Sequence, residues 1–453
     1  MKQRIQLTCL CKVNDYFDSR LIDVMAQTSV TSTQHIAQPS QNLSWFNLFW
    51  AGQFISLLGS SIVQFSIVWW LTITYQSPAI LGFSVFAGWG STIVTIMLSG
   101  VLVDRWLRKN IIGLADGLQA FTSVLLVLLF YSGYLNLIVI FSFLVVRGVL
   151  QGFHQIASNT IVPQIVPREK LSRINGIINF SNGVSNFMGP LIGAFFIGLF
   201  GTKNLGYIFL IDTITFLVAV IPLIALYIPK LQARPKKSFI QDFSEGVSFI
   251  KQKEGLLAFI SISPASNFFL TPLNILLPLL IINRYYYNGG AETLAYALAA
   301  FQVGFILSSF IFSTRKVFSV NSYGIVVGIS FWITGTSVVV IGALSQSFLL
   351  LLLGQLLSGI AIPVHNVNVA TFWHKIIPPE LQGRVIAVRR GITQITGVIA
   401  ILGAGLLSDR FGSLRIISIG AFCEAILLIL YVWKIPFKDI EMKYTKEREP
   451  QVY

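Results

Sequence analysis

The chain has 453 residues, 54% of them hydrophobic and 11% charged, with a net charge of +14 and a mean hydropathy of +0.74. A soluble globular chain carries about 25% charged residues. This composition therefore excludes a water-facing exterior and leaves lipid as the solvent for the surplus apolar surface.

In chain order, residues 1–44 are polar and hold no apolar core long enough for a signal peptide. They read as a disordered cytoplasmic tail. Met25 opens its Ser/Thr/Gln-rich second part, so a start at Met25 is an alternative to Met1. Cys9 and Cys11 are too close for an ordinary bridge and lack neighbours for a metal site, so no metal is expected. Twelve apolar runs follow, at about 45–75, 79–103, 110–132, 135–163, 174–200, 204–228, 255–283, 291–314, 321–344, 348–376, 384–408 and 413–435. Each is long enough to cross ~30 Å of hydrocarbon as a helix, the form that satisfies its own backbone in lipid. Barrel strands are shorter and alternate in polarity. The fold class is an all-α membrane protein with twelve transmembrane helices.

The charge sorts by side of the membrane. The even-numbered breaks hold eighteen Lys and Arg, among them Arg105, Arg108, Lys109, Arg173, Lys236, Lys237, Arg384 and Arg390; the odd-numbered breaks hold only Lys203, Arg284, Arg410 and Arg415. Basic residues collect on the cytoplasmic side, so both termini are expected there. The positive charge is thus a matter of topology, and nucleic acid is not an expected partner.

The longest break, 229–254, divides the runs six and six. The expected organisation is a tail (1–44), a first six-helix half (45–228), a linker (229–254), a second half (255–436) and a tail (437–453). In the linker Phe239, Phe243, Val247 and Ile250 share one helical face, with Asp242, Glu245 and Lys251 elsewhere, as in a helix lying in the membrane interface. The halves resemble each other. Pro167, Glu169 and Arg173 match Pro378, Glu380 and Arg384 at one offset, and Gly148 matches Gly359 at the same offset. Two parallel six-span repeats about the membrane normal are a transporter design, with the substrate between the halves.

The break between the second and third runs reads GVLVDRWLRK at 100–109. It resembles the G-x-x-x-D-R-x-G-R-K signature of the major facilitator superfamily. Gly100, Asp104, Arg105, Arg108 and Lys109 match, and Leu107 stands where the family usually has Gly. GQFISLLGSSIVQFSIVWWLT at 52–72, VRGVLQGFHQIA at 146–157 and DFSEGVSFI at 242–250 resemble the drug:proton antiporter-3 branch, which includes macrolide and siderophore exporters. GPLIG at 189–193 resembles the antiporter signature G-P-x-x-G, with Gly189, Pro190 and Gly193 matching. The resemblance implies the major facilitator fold and export of amphipathic molecules against entering protons. Physically, Gly100 permits a close helix approach. Asp104 can clamp the cytoplasmic ends through a helix N-terminus or an Arg, and Arg108 and Lys109 anchor the loop at the headgroups.

Several polar groups lie within the runs. Arg147, Gln151, His154 and Ser158 form one stripe on the fourth run, and Asn175, Asn179, Asn182 and Asn186 another on the fifth. Gln53, Ser60 and Gln64 share a face of the first, and Ser263, Asn267 and Asn274 belong to the seventh, which Pro264, Pro272 and Pro278 should interrupt. Such groups face a cavity or other helices. Gln53, Ser60, Gln64, Gln151, Ser158, Asn267, Asn274 and His365 are the cavity candidates. Asp116, Arg147, His154, Asp212 and Glu424 are the proton-coupling candidates. At 1.5 Å per residue, Arg147 and Asp212 both lie ~24 Å from the cytoplasmic side, His154 ~14 Å and Asp116 ~9 Å. Depth thus pairs Arg147 with Asp212 and, more loosely, His154 with Asp116. A carboxylate held by an arginine keeps its charge, so Asp116 is the better proton carrier, with His154 as relay.

No G-x-x-x-x-G-K-[ST] occurs, so ATP is not the energy source, and neither enzymatic activity nor a cofactor beyond the proton gradient is expected. The reading is a monomeric, multi-pass exporter of the plasma (inner) membrane, whose partners are an amphipathic small molecule, protons and the bilayer. The alternatives are a dedicated siderophore or metabolite exporter and an uncoupled facilitator or uptake carrier. A non-transporting scaffold is a third, against which the signature loop and the buried ionisable groups argue.

Overall fold

The computed structural model describes residues 43–98, 106–166, 170–225, 239–253, 255–285, 290–314 and 321–436, together with residue 439. Gly100, Asp104 and Arg105, most of both tails and linker residues 226–238 lie outside the described residues.

Among the described residues, twelve helices are long and apolar enough to cross a membrane. They are α1 (Leu43–Tyr75), α2 (Pro78–Val85, continued through a π-helical turn Phe86–Gly90 into Ser91–Leu98), α3 (Arg108–Tyr131), α4 (Leu137–Ile165), α5 (Leu171–Phe200) and α6 (Leu205–Ala225). After the linker helix α7 (Phe239–Gln252) come α8 (Leu256–Tyr285), α9 (Ala291–Thr314), α10 (Asn321–Ser345), α11 (Phe348–Ile376), α12 (Pro379–Phe411) and α13 (Ser413–Lys434). Local chemistry sets the turns between them. Ser77 caps α2 ahead of Pro78, and Asn136 and Ser347 accept from Val139 N and Leu350 N at the starts of α4 and α11. Gly201 and Gly412 end α5 and α12 with φ of +72° and +86°, a region where a Cβ is penalised.

The two halves share a packing device. A Cβ on Gly148 of α4 would lie 2.2 Å from Gly88 O of α2, and one on Gly359 of α11 would lie 1.9 Å from Phe301 O of α9. Each half therefore crosses its second and fourth spans backbone to backbone, as small residues permit in membranes. Gly189 and Gly193 bring α5 onto α1 in the same way, against Ser61 and Phe65. The prolines of α8 do not interrupt it: the helix runs on through Pro264, Pro272 and Pro278. A proline removes one N–H, and neighbouring helices can re-satisfy the freed carbonyl.

The twelve spanning helices run between two ends of the bundle: the end at which the first begins (Leu43) and the last finishes (Lys434), the termini end, and the far end. At the far end a single apolar core contains Trp69, Leu81, Ile197, Tyr285, Leu294 and Ile401, drawn from both halves. At the termini end there are two separate cores. One belongs to the first half (Phe46, Phe49, Ile112, Ile161, Ile174) and one to the second (Leu256, Phe259, Phe372, Trp373, Val385). Where a shared core fills the space the halves are joined; where each half keeps its own, they stand apart. The molecule is closed at the far end and open at the termini end. Polar groups reinforce the closure: Asp409 of α12 accepts from Ser77 Oγ (3.3 Å) and Ala79 N (3.5 Å) at the start of α2, and the backbones of Gly82 and Gly405 meet beside them.

The linker helix α7 docks on the second half. Ile250 and Val247 enter the apolar core there, Gly246 meets the backbone of Arg384, and Glu245 forms an ion pair with Arg384. The side chains of Phe239, Asp242 and Phe243 lie outside the described residues.

Candidate functional site

A cavity of about 500 Å³ lies where the halves converge. Its wall is mostly first-half: Gln53, Ser60 and Gln64 of α1, Trp89 of α2, Asp116 of α3, Arg147, Gln151 and His154 of α4, and Asn186 and Pro190 of α5. The second half closes it with Asn274, Leu277 and Pro278 of α8 and Leu294 and Leu298 of α9. A concave, largely apolar space with a few converging polar groups is the usual form of a small-molecule site.

Two acids belong to this region, Asp116 in the wall and Asp212 behind Arg147, and their surroundings differ. Asp212 of α6 is fully buried. Arg147 grips it bidentately, Nη1 to Oδ2 at 2.5 Å and Nη2 to Oδ1 at 3.1 Å. Ser123 Oγ donates to Oδ2 at 2.8 Å, and Ser60 Oγ both accepts from Arg147 Nη2 (2.9 Å) and donates to Oδ1 (3.4 Å). The guanidinium also lies over the rings of Phe143 and Phe216, at 5.7 and 5.4 Å, a further favourable contact for a desolvated cation. Every lone pair direction of this carboxylate meets a donor, and its charge is matched by a permanent cation.

Asp116 has no such clamp. Its neighbour is His154 Nε2, 3.4 Å from Oδ1. Gln53 bridges the two: its Nε2 donates to Asp116 Oδ2 (3.2 Å), and its Oε1 accepts from His154 Nε2 (2.8 Å). The partner of this acid is an imidazole and not a permanently charged guanidinium. The two candidate pairs drawn from depth thus come together in space, joined to α1 by Ser60 and Gln53 respectively.

Three cavity candidates do not line it. Asn267 sits seven residues before Asn274 on the same face of α8, ~10 Å nearer the termini end, beyond the cavity's border. Ser158 is buried on the stretch of α4 where Gly152 packs on Thr95 of α2. His365 is buried edge-on to Trp332, ring centroids 5.8 Å apart, away from the cavity. Glu424 also lies outside the lining, fully buried in the second half. Asn175, Asn179 and Asn182 are exposed on the face of α5 that carries Asn186 into the cavity, so the stripe continues from the cavity toward the open end. Arg108 Nε donates to Thr160 Oγ1 (3.2 Å), and Lys109 Nζ donates to Ile224 O (2.7 Å) at the end of α6. These two cations tie helix ends together, in addition to the headgroup role expected of them.

Two contributors were not singled out in the sequence. Ser123 follows Asp116 by seven residues, which puts both on one face of α3, so helical spacing carried that signal. The Ser77–Asp409 contact joins residues 332 positions apart, and no periodicity reports it.

The family model of the Major Facilitator Superfamily matches residues 49–401. The chain belongs to the Major Facilitator Superfamily. Among its relatives, Macrolide efflux protein A of Streptococcus pyogenes is 29% identical over 382 residues, spanning 81% of this chain and 90% of that one. Macrolide efflux protein A of Enterococcus faecalis is 28% identical over 328 residues, spanning 70% and 96%. Two solved structures share the fold at 14% identity. A D-xylose-proton symporter has a TM-score of 0.65, over 87% of this chain and 99% of that one. A bacterial homologue of the human lysosomal transporter Spinster, in its inward-facing, unoccupied conformation, has a TM-score of 0.63 over 91% and 99%. This member of the superfamily is therefore a multi-pass membrane transporter.

Proposed function

We propose that this superfamily member exports macrolide-like amphipathic compounds across the plasma membrane in exchange for protons, as a monomer with both termini in the cytoplasm. The observation that carries the reading is the Gln53–Asp116–His154 group at the wall of a cavity built by both halves. The similarity to macrolide efflux proteins supports the substrate class, and the basic breaks at the termini end support the orientation. In the conformation described, the cavity would receive substrate from the cytoplasm. Trp89, Phe65 and Phe216 offer it apolar faces, and Gln64, Gln151 and Asn186 offer hydrogen bonds. Asp116 would carry the proton, and His154 would relay it through Gln53. Arg147 and Asp212 would hold α4 to α6 while the halves rock. Alternation requires the shared far-end core to part and the two termini-end cores to approach.

The test is efflux of a macrolide from a pump-deficient host, with and without a protonophore. Wild-type efflux should stop with the protonophore. Asp116→Asn should abolish proton-driven efflux in proteoliposomes while downhill substrate exchange survives. Protonophore-resistant efflux, or unchanged coupling in Asp116→Asn, would overturn the assignment.

A further inference from the structure

The second half preserves the plan of the first but not its charges. Helices α4 and α11 both have 29 residues. His154 and His365 each stand seventeen residues past the first residue of their helix, and Arg147 and Ser358 each stand ten past it. On the third span of each half, Ser123 and Thr336 each lie fifteen residues past the first. In the first half Ser123 donates to the acid of the last span, Asp212. In the second half Thr336 neighbours the acid of the last span, Glu424. The two acids of the last spans each stand beside the matching residue of the third span, Ser123 or Thr336, but at the register of the arginine that neutralises Asp212 the second half has a serine.

The consequence is visible at Glu424. It is 0% exposed; among the described residues neither carboxyl oxygen has a hydrogen bond of standard geometry, and the Thr336 hydroxyl lies close enough to offer one. The Thr336 hydroxyl donates instead to the carbonyls of its own helix, Trp332 O (3.1 Å) and Ile333 O (3.2 Å). Ser358 Oγ, in the arginine's place, is buried and unbonded as well. Helix α13 packs against α8, α10 and α12. The charged or titratable residues of these helices are Arg284 and Tyr285 at the far end, Tyr323 of α10, and Glu380, Arg384, Arg389, Arg390, Asp409 and Arg410 of α12; α13 itself carries Arg415, Cys423, Tyr431 and Lys434. None of them forms an ion pair with Glu424 among the described residues. Arg389 is at the same depth, ~15 Å from the termini end, but it lies within electrostatic reach of His365. A carboxylate left bare in such a place is strongly disfavoured, whereas a protonated acid is disfavoured far less.

We propose that Glu424 is a second proton-binding site, one that holds its proton in the state open at the termini end. The first half keeps its last-span acid permanently neutralised by Arg147; the second half neutralises its own with a proton, which can leave. Release would require a cation to approach, and Arg389 on the adjoining α12 is at the right depth to supply it. The part this site plays in transport rests on the antiport reading above; the protonation of Glu424 does not.

The experiment is infrared spectroscopy of the purified full chain in liposomes at neutral pH. The wild type should show the carbonyl band of a protonated carboxylic acid. Glu424→Gln should lose one carboxyl's worth of that band, while Glu424→Asp should retain it at a shifted frequency. Asp116→Asn should keep the Glu424 component. A band unaltered by Glu424→Gln would overturn the proposal. If Glu424→Gln does not fold, Glu424→Asp decides it, since an unshifted band there has the same meaning. In the transport arm, Glu424→Gln should take up fewer protons per substrate exported. Should transport prove independent of protons, the antiport reading falls, and the infrared result still stands or fails by itself.

Discussion

Replacing Asp212 with asparagine tests how the first half is held together. The carboxylate receives two bonds from Arg147 and one each from Ser60 and Ser123, and it is completely buried. Asparagine keeps the size but loses the charge and one acceptor, and the Arg147 side chain, 12% exposed, becomes a cation without a counterion. Removing one partner of a buried pair costs about 3–5 kcal/mol, roughly two to three and a half powers of ten in the folding equilibrium at 1.4 kcal/mol each. Replacing both partners behaves differently. Arg147→Met with Asp212→Asn removes the stranded charge, so the double variant should recover to within about 1 kcal/mol of wild type. Arg147→Met alone strands the buried carboxylate and should also cost about 3–5 kcal/mol, so the double-mutant cycle should give a coupling energy of about 5–9 kcal/mol. Denaturation of the purified protein in detergent, followed by tryptophan fluorescence and by circular dichroism, reads all four corners. If Asp212→Asn lost less than about 0.5 kcal/mol and the two substitutions added, the pair would not be the clamp described here.

Three other outcomes follow from the packing and the loop. Gly148→Val and Gly359→Val each drive a side chain into a backbone carbonyl across a helix crossing and should greatly reduce folded protein, measured as the monodisperse fraction after detergent extraction; Gly117→Val, where a Cβ meets nothing within 4 Å, should not. Ser77→Cys with Asp409→Cys, in a chain lacking Cys9, Cys11 and Cys423, should crosslink at the far end, stop transport when oxidised and recover it with reductant; transport at full rate in the crosslinked protein would refute far-end opening. Asp104→Asn, in the signature loop outside the described residues, should leave insertion intact and slow turnover several-fold, and a wild-type turnover rate in proteoliposomes would remove its clamp role.

Twelve spans were legible in the sequence because lipid imposes a simple rule. A crossing segment must be about twenty apolar residues long and must close its own hydrogen bonds, and both demands act along the chain. The recurring glycine was legible for a similar reason: Gly148 and Gly359 serve the same kind of crossing twice, so they recur at one offset. Depth along a helix is also a one-dimensional quantity, and it sufficed to pair Arg147 with Asp212 and His154 with Asp116. What the chain could not disclose was lateral. Ser158 and His365 are polar and at plausible depths, yet only the contacts of α4 with α2 and of α11 with α10 turn them from the cavity into packing. The bridge by Gln53, the closure of the far end by Ser77 and Asp409, and the parting of the termini-end cores all depend on which helix faces which. That choice is made by close packing among twelve nearly equivalent apolar surfaces, so it resides in the tertiary structure and in no single segment.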